Sequence, residues 1–444
     1  MTTILALIDH LVTSERFDEL LSLASQLQQE GHFELSVHAY STAVEALQRV
    51  TPKQLETIRA LVAALSNLGQ IYNARAEHPQ AADSFNRALI SADALRPIDP
   101  TFADLVTGEL LINLGAEYRL LDQCDKAKSA LERAVRIYEG FYRSNSSRWG
   151  RHYAAAQNNL GLALHDLGLF DDAHNHLHIA LTIDLKRAAQ NGPLIEELAK
   201  SYNNVARTLE ATGKYSEACV HYSSAAVLHR ISATSERPSA IAELGETLAN
   251  WGACLALAGR AENGLELLRE AHEVHTGLCD STRGKSFLAY LGRTKHNLGK
   301  ALVALGQFAH AETFLKDAIA VRRSANLLQD GAMKPTIALS LLSLADFYLL
   351  SGNYVAAADV CKEAFSVIRL VFNPSQLTHA DIKAHAHITL AQVHFEHGNA
   401  DAAARESGKA FALFRALRLR GAHRNGDGEH NALLSVASAR VREG

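Results

Sequence analysis

The stretch that decides the fold is NLGLALHDLGLFDDAHNHLHIA, residues 159–180, because its small residues Gly161, Ala173 and Ala180 recur in register along the whole chain. The last of them belongs to a series of nine alanines: Ala43, Ala88, Ala134, Ala180, Ala225, Ala271, Ala318, Ala364 and Ala410, spaced by 45 or 46 residues with one gap of 47. Seven positions before each stands a second small residue, from Ser36 through Gly264 to Ala403, and twelve before that a third, from Ala24 to Ala391. A period of this length means stacked units, none of which buries its apolar face alone. Within each unit, apolar residues recur at helical spacing in two stretches. They are separated by a Gly-x-aromatic turn, clearest at Gly31-His32-Phe33, Gly168-Leu169-Phe170, Gly213-Lys214-Tyr215, Gly306-Gln307-Phe308 and Gly352-Asn353-Tyr354. Each unit is therefore expected to be a helical hairpin whose turn glycine adopts the left-handed conformation and whose aromatic plugs the gap between its two helices.

The order small-x6-Gly-x-aromatic-x2-Ala-x6-Ala resembles the tetratricopeptide repeat, and Asn159 to Ala180 and Asn297 to Ala318 match it most fully. The resemblance covers roughly residues 17 to 420 and implies an all-α, right-handed superhelical solenoid of about nine hairpins. It departs in period, exceeding the usual unit of about 34 residues by about three helical turns. Long repeats opening Asn-Asn-Leu-Gly or Asn-Asn-Val-Ala look most like the kinesin-light-chain subgroup, which implies cargo or motor linkage, although this chain has no long heptad coiled coil. Residues 1–15 are expected to cap the stack, 16–420 to form it, and 421–444 to be a flexible linker and a short helix. The second unit replaces its turn by Ala76-Glu77-His78-Pro79 and the sixth has Gly264 for alanine, both read as weak repeats.

Net charge is −4 over 444 residues, which gives no pull toward nucleic acid or an anionic membrane. The apolar run Ile4 to Ile8 lacks basic residues before it and is cut off by Asp9, so neither a signal peptide nor a membrane span is expected. Five scattered cysteines without a C-x-x-C pair suit a reducing, cytoplasmic setting. Catalytic signatures are missing: Gly292 to Lys300 has the wrong spacing for a phosphate loop, and no G-x-S-x-G or dinucleotide fingerprint occurs. No cofactor is expected.

The sharpest functional signal is an asparagine ladder, Asn67, Asn113, Asn159, Asn204, Asn250 and Asn297, two residues before the small residue of each first helix. The resemblance implies that this position points into a concave groove, where amides can pair with the backbone of a peptide. The other reading is that the amides bind neighbouring helices and specify stacking. Two units add charge on the same face, as Lys200-x3-Asn204-x2-Arg207 and Arg293-x3-Asn297-x2-Lys300, and Arg119 and His165 lie four residues beyond the small position. Together these suggest an acidic peptide ligand, against which Glu109, Glu246 and Asp346 share the face.

Histidines cluster at His174, His176 and His178, and at His385, His387, His394 and His397, with spacing that does not support a metal site. Trp149 is expected to tuck into its own repeat rather than anchor a partner, and Trp251 to be core. The expected function is a non-enzymatic scaffold or adaptor that grips a protein segment. The alternatives are a peptide-responsive regulatory sensor and a substrate-recruiting subunit of an enzyme complex; the sequence leaves oligomeric state open.

Overall fold

The computed structural model describes residues 2–50, 54–191, 194–233, 237–280, 284–328, 333–370 and 377–419. The expected linker and terminal helix beyond residue 420 lie outside them, as do Pro52, Pro193 and Pro374. The described residues are all-α, and the chain divides into two compact units, Met1–Ala163 and Leu164–Gly444. In the first, α1 (Thr2–Thr13) precedes the helices α2 (Phe17–Gln29), α3 (Phe33–Arg49), α4 (Leu55–Ala74), α5 (His78–Asp93), α6 (Pro100–Leu120) and α7 (Cys124–Ser144). The unit boundary falls within α8 (Ser146–Asp166). The second unit continues with α9 (Phe170–Asn191), α10 (Ile195–Ala211), α11 (Tyr215–Ser232), α12 (Pro238–Leu257), α13 (Ala261–Cys279), α14 (Leu288–Ala304), α15 (Phe308–Leu328), α16 (Lys334–Leu350), α17 (Tyr354–Arg369), α18 (Leu377–Glu396) and α19 (Ala400–Leu419). In the first unit α2 pairs with α3, α4 with α5 and α6 with α7, and in the second each of α10, α12, α14, α16 and α18 pairs with the helix after it. In each unit second helices also pack on the first helix of the next pair, as α3 on α4 and α11 on α12, the arrangement of an all-α solenoid.

The registered small residues explain the packing. A Cβ added at Gly69 would meet the Phe85 ring at 2.7 Å, one at Gly115 would meet Leu131 at 2.4 Å, and one at Gly299 would meet Leu315 at 2.6 Å. Each glycine of a first helix thus leaves room for a large apolar side chain of the second. The nine registered alanines are fully buried; Tyr40, Leu65 and Phe85 belong to a core cluster of the first unit, and Leu268 and Leu315 to one of the second. Burying such a side chain stabilises by about 1.5–3 kcal/mol.

Turn chemistry follows the sequence where glycine is present: Gly31, Gly168, Gly213, Gly306 and Gly352 all have φ between 70° and 80°. At Gly168 the first helix closes with Gly168 N–H donating to His165 O (2.9 Å) and Leu169 N–H to Leu164 O (2.9 Å), a Schellman closure. Where glycine is missing the conformation is kept anyway, by Ala76 at φ 58° and Asp122 at φ 60°. Backbone strain is the result, so Ala76→Gly is expected to stabilise the first unit by about 1 kcal/mol, read as a rise in its denaturant midpoint.

The turn aromatic behaves differently from the expectation. Phe33 and Phe308 are exposed, and Phe308 and Tyr354 lie beside Phe347 (6.1 Å) and His397 (5.9 Å) of the following hairpin rather than inside their own. Only Phe170, among these five, is buried. In the second hairpin, His78 takes the aromatic's place, and its Nδ1 lies 3.0 Å from Glu117 of α6, a carboxylate that is 1% exposed and also accepts from Asn73. Prolines stand where helices begin: Pro238 opens α12 and Pro335 lies in the first turn of α16.

Candidate functional site

Within each unit the predicted ligand residues stand at recurring positions of the first helices. Positions six before and one after the registered small residue of the first helices are largely exposed, including Ala63, Glu109, Lys200, Arg207, Arg293 and Lys300. The six asparagines lie half-buried at the edge of this stripe. Three of their amides are used inside the protein: Asn67 donates to Tyr40 Oη (3.1 Å), Asn159 to the carbonyl of Ala155 in its own helix (2.9 Å), and Asn297 to Ala249 O of the preceding first helix (3.4 Å). The contacts of Asn67 and Asn297 are those of the stacking reading, whereas that of Asn159 stays within its own helix. Asn204 also has an interaction of its own, whereas Asn113 and Asn250 make no hydrogen bond among the described residues.

The charges sort in the same way. Each acidic residue of the stripe is matched by a base from the next first helix: Glu109 by His152 (3.7 Å), Glu246 by Arg293, and Asp346 by His385 (2.8 Å), with Thr389 donating to Asp346 as well (3.2 Å). Lys200 is likewise held, its Nζ lying 3.2 Å from Glu243 of α12. Arg207 and Lys300 are exposed and have no ion pair among the described residues. In the second unit Glu246 and Glu243 thus neutralise Arg293 and Lys200 and leave Arg207 and Lys300 as the stripe's cations without an ion pair among the described residues. Arg119 is half-buried and engaged, and His165 stands 3.7 Å from Asp166 and edge-on to Phe170 (5.2 Å). In the second unit the groups left over, Arg207, Asn250 and Lys300, fall on three successive first helices, α10, α12 and α14.

A polar seam beneath this face escaped sequence reasoning. Four residues after the registered alanine, the first unit carries Leu47, Ala92 and Tyr138, all buried. The second carries Asp184, His229, His275 and Arg322, equally buried. Hydroxyls of the following first helix meet them: Asp184 accepts from Ser201 (2.9 Å), His275 Nδ1 lies 2.9 Å from Thr294, and Arg322 donates to Ser340 and to Thr336 O (2.5 Å). Arg322 has no carboxylate partner among the described residues, and burial pulls its guanidinium down to about 9. Burial likewise holds His275 below the ordinary imidazole range and His296, fully enclosed beside Arg322, well below it. The register of Ser and Thr five residues before the registered small residue of each first helix, Ser201, Thr247, Thr294 and Ser340, was the available signal. Gly292 has its reason here too, since a Cβ there would meet Arg322 Cγ at 2.8 Å.

The remaining candidates have structural settings. Trp149 packs on Phe141 (4.9 Å) of the preceding helix, and Trp251 is half-buried against the second unit's core. His174 and His178 lie 6.0 Å apart, and His387 pairs with Glu406 (2.6 Å). Among the described residues no group of three or more His, Cys, Asp or Glu is placed to hold a metal ion, and no helix is long and apolar enough to cross a membrane.

Residues 154–183 and 291–326 match the tetratricopeptide repeat family model. No curated protein matches the sequence. Among solved structures the chain is similar to BtubC (BKLC) from P. vanneervenii, at 23% identity over 56% of this chain and 93% of that one, with a TM-score of 0.45. It is similar also to a Rap protein complexed with Competence and Sporulation Factor, at 14% identity over 83% and 97% (TM-score 0.52). A third is the Rap conjugation gene regulator of plasmid pLS20 in complex with the Phr* peptide, at 15% identity over 83% and 94% (TM-score 0.51). The two Rap structures share the fold. Two of the repeated hairpins thus match the tetratricopeptide repeat model, and the all-α hairpin fold with its registered small residues is similar to that of tetratricopeptide-repeat proteins.

Proposed function

We propose that this protein is a non-enzymatic interaction scaffold that binds a peptide segment of a partner protein along the open face of its first helices. The observation that carries this reading is the set Arg207, Asn250 and Lys300. In a stripe where neighbouring polar groups are paired internally, these three stand in line, without hydrogen bonds or ion pairs among the described residues, on α10, α12 and α14. Two cations favour a segment bearing carboxylates, and an amide between them suits a backbone N–H or C=O. A row of rigid helices presents these groups preorganised, so little entropy is lost on binding. That two proteins of the same fold are solved with Competence and Sporulation Factor and with the Phr* peptide supports a peptide ligand and favours, as a second reading, a regulator that responds to one. Five free thiols suit a reducing compartment such as the cytoplasm.

Affinity capture tests the proposal. The wild-type chain is expected to retain a protein partner, and Asn250→Ala to weaken its binding about fivefold, the value of one hydrogen bond of modest strength. Undiminished affinity with that amide removed would count against its contact with the ligand.

A further inference from the structure

Glu243 of α12 faces two bases at once. One carboxylate oxygen lies 3.2 Å from Nζ of Lys200, which is 57% exposed on the open stripe, and the other lies 3.8 Å from Nδ1 of His229, which is 1% exposed. That imidazole nitrogen is buried and has no hydrogen-bond partner. The gap is too long for a hydrogen bond, yet a small side-chain rotation would close it once the ring carries a proton to donate. The charged groups around His229 are Lys200 and Glu196 from α10 and Glu243 and Glu246 from α12. Burial outweighs them and holds the imidazole below its ordinary range, so the ring is neutral near neutral pH.

We propose that His229 is a proton-operated latch on the ligand face: on taking a proton from solvent it draws the Glu243 carboxylate inward and releases the Lys200 ammonium onto the stripe that carries Arg207. The latch rests on the reading of that stripe as a binding surface and adds its regulation. No covalent bond changes; one proton is bound, and one ion pair replaces another. The sign follows. Above the ordinary histidine range Glu243 holds Lys200, and as pH falls through the lowered value of His229 the stripe gains a free cation, so affinity for an anionic segment rises with acidification. The first unit has no equivalent, because the residues at this register there are Leu47, Ala92 and Tyr138.

The test is a histidine NMR titration of the full chain, with the His229 resonance assigned by its loss in His229→Gln. Lys200→Met removes the competing cation and is expected to raise the His229 midpoint by about half a pH unit or more; Glu243→Gln is expected to lower it and to abolish the effect of Lys200→Met. A midpoint unmoved by Lys200→Met, in a chain of unchanged helix content, overturns the latch. As a second readout, fluorescein-labelled hexaglutamate is expected to bind the wild type at least about threefold more tightly near pH 5.5 than near pH 7.5, and His229→Gln with no such change. Equal pH dependence in both chains also overturns it. Failure of hexaglutamate to bind at either pH sinks the ligand-face reading alone, and the NMR coupling then decides the latch by itself.

Discussion

Gly264→Ala is expected to destabilise the second unit by about 3 kcal/mol, a large effect for one methyl group. The sixth hairpin replaces alanine by glycine at this register, which reads in the sequence as a weak repeat. In the structure it is a point of close helix approach: a Cβ at residue 264 would meet the carbonyl oxygen of Gly252 at 2.3 Å, and one at residue 252 would meet that of Gly264 at 2.7 Å. Both obstacles are backbone, so no rotamer change relieves them, and α12 and α13 must separate along their length. Gly277→Ala is the matched control on the same helix. An added Cβ there meets nothing within 4 Å, so the substitution should stabilise by up to about 1 kcal/mol through helix propensity alone. Denaturant midpoints of opposite sign for the two variants are the expected result. A Gly264→Ala chain as stable as wild type would mean that the hairpin closes differently.

Arg207→Glu combined with Lys300→Glu is expected to lower affinity for the captured partner about 100-fold. Each reversal removes a favourable charge contact and adds a repulsive one, and two such changes at a partly desolvated interface amount to roughly 2–3 kcal/mol. These residues are the informative ones to reverse, because neither has an ion pair to lose. Arg293→Glu would set two carboxylates together beside Glu246, and Lys200→Glu would do the same beside Glu243, so weakened binding there would mix ligand loss with local repulsion. Circular dichroism and the denaturant midpoint of the double variant should match the wild type. Unchanged affinity in a folded double variant would remove the acidic-segment reading.

The hairpins and the face on which Arg207, Asn250 and Lys300 lie were legible in the sequence, for a physical reason. Small residues at closest approach and glycines at positive φ are requirements that few residue types meet, so they leave a period. What the asparagines do was not legible. Whether an amide faces solvent or a carbonyl depends on the spacing of adjacent first helices: Asn297 reaches Ala249 O while Asn250, at the same register, makes no hydrogen bond among the described residues. The fate of the charges depends in the same way on pairs 39 to 47 residues apart, as in Asp346 with His385 and Glu246 with Arg293. Ala76 and Asp122 hid two turns, since the left-handed conformation is imposed there by the surrounding hairpin rather than by a permissive residue. Of the turn aromatics Phe170 is buried, whereas Phe33 and Phe308 stay exposed and do not plug their hairpins.

The most direct measurement places a photoreactive side chain at either of two positions of the second unit and asks which one captures the partner. Ala253 lies on the open face of α12 between Arg207 and Lys300 in register, and Val227 lies on the outer face of α11, where it is 59% exposed beside the equally apolar Ile231. Cross-linking of the partner from residue 253 and not from residue 227 is the result expected if the first helices carry the ligand. Efficient cross-linking from residue 227, with none from residue 253, would place the partner on the second helices and contradict the account.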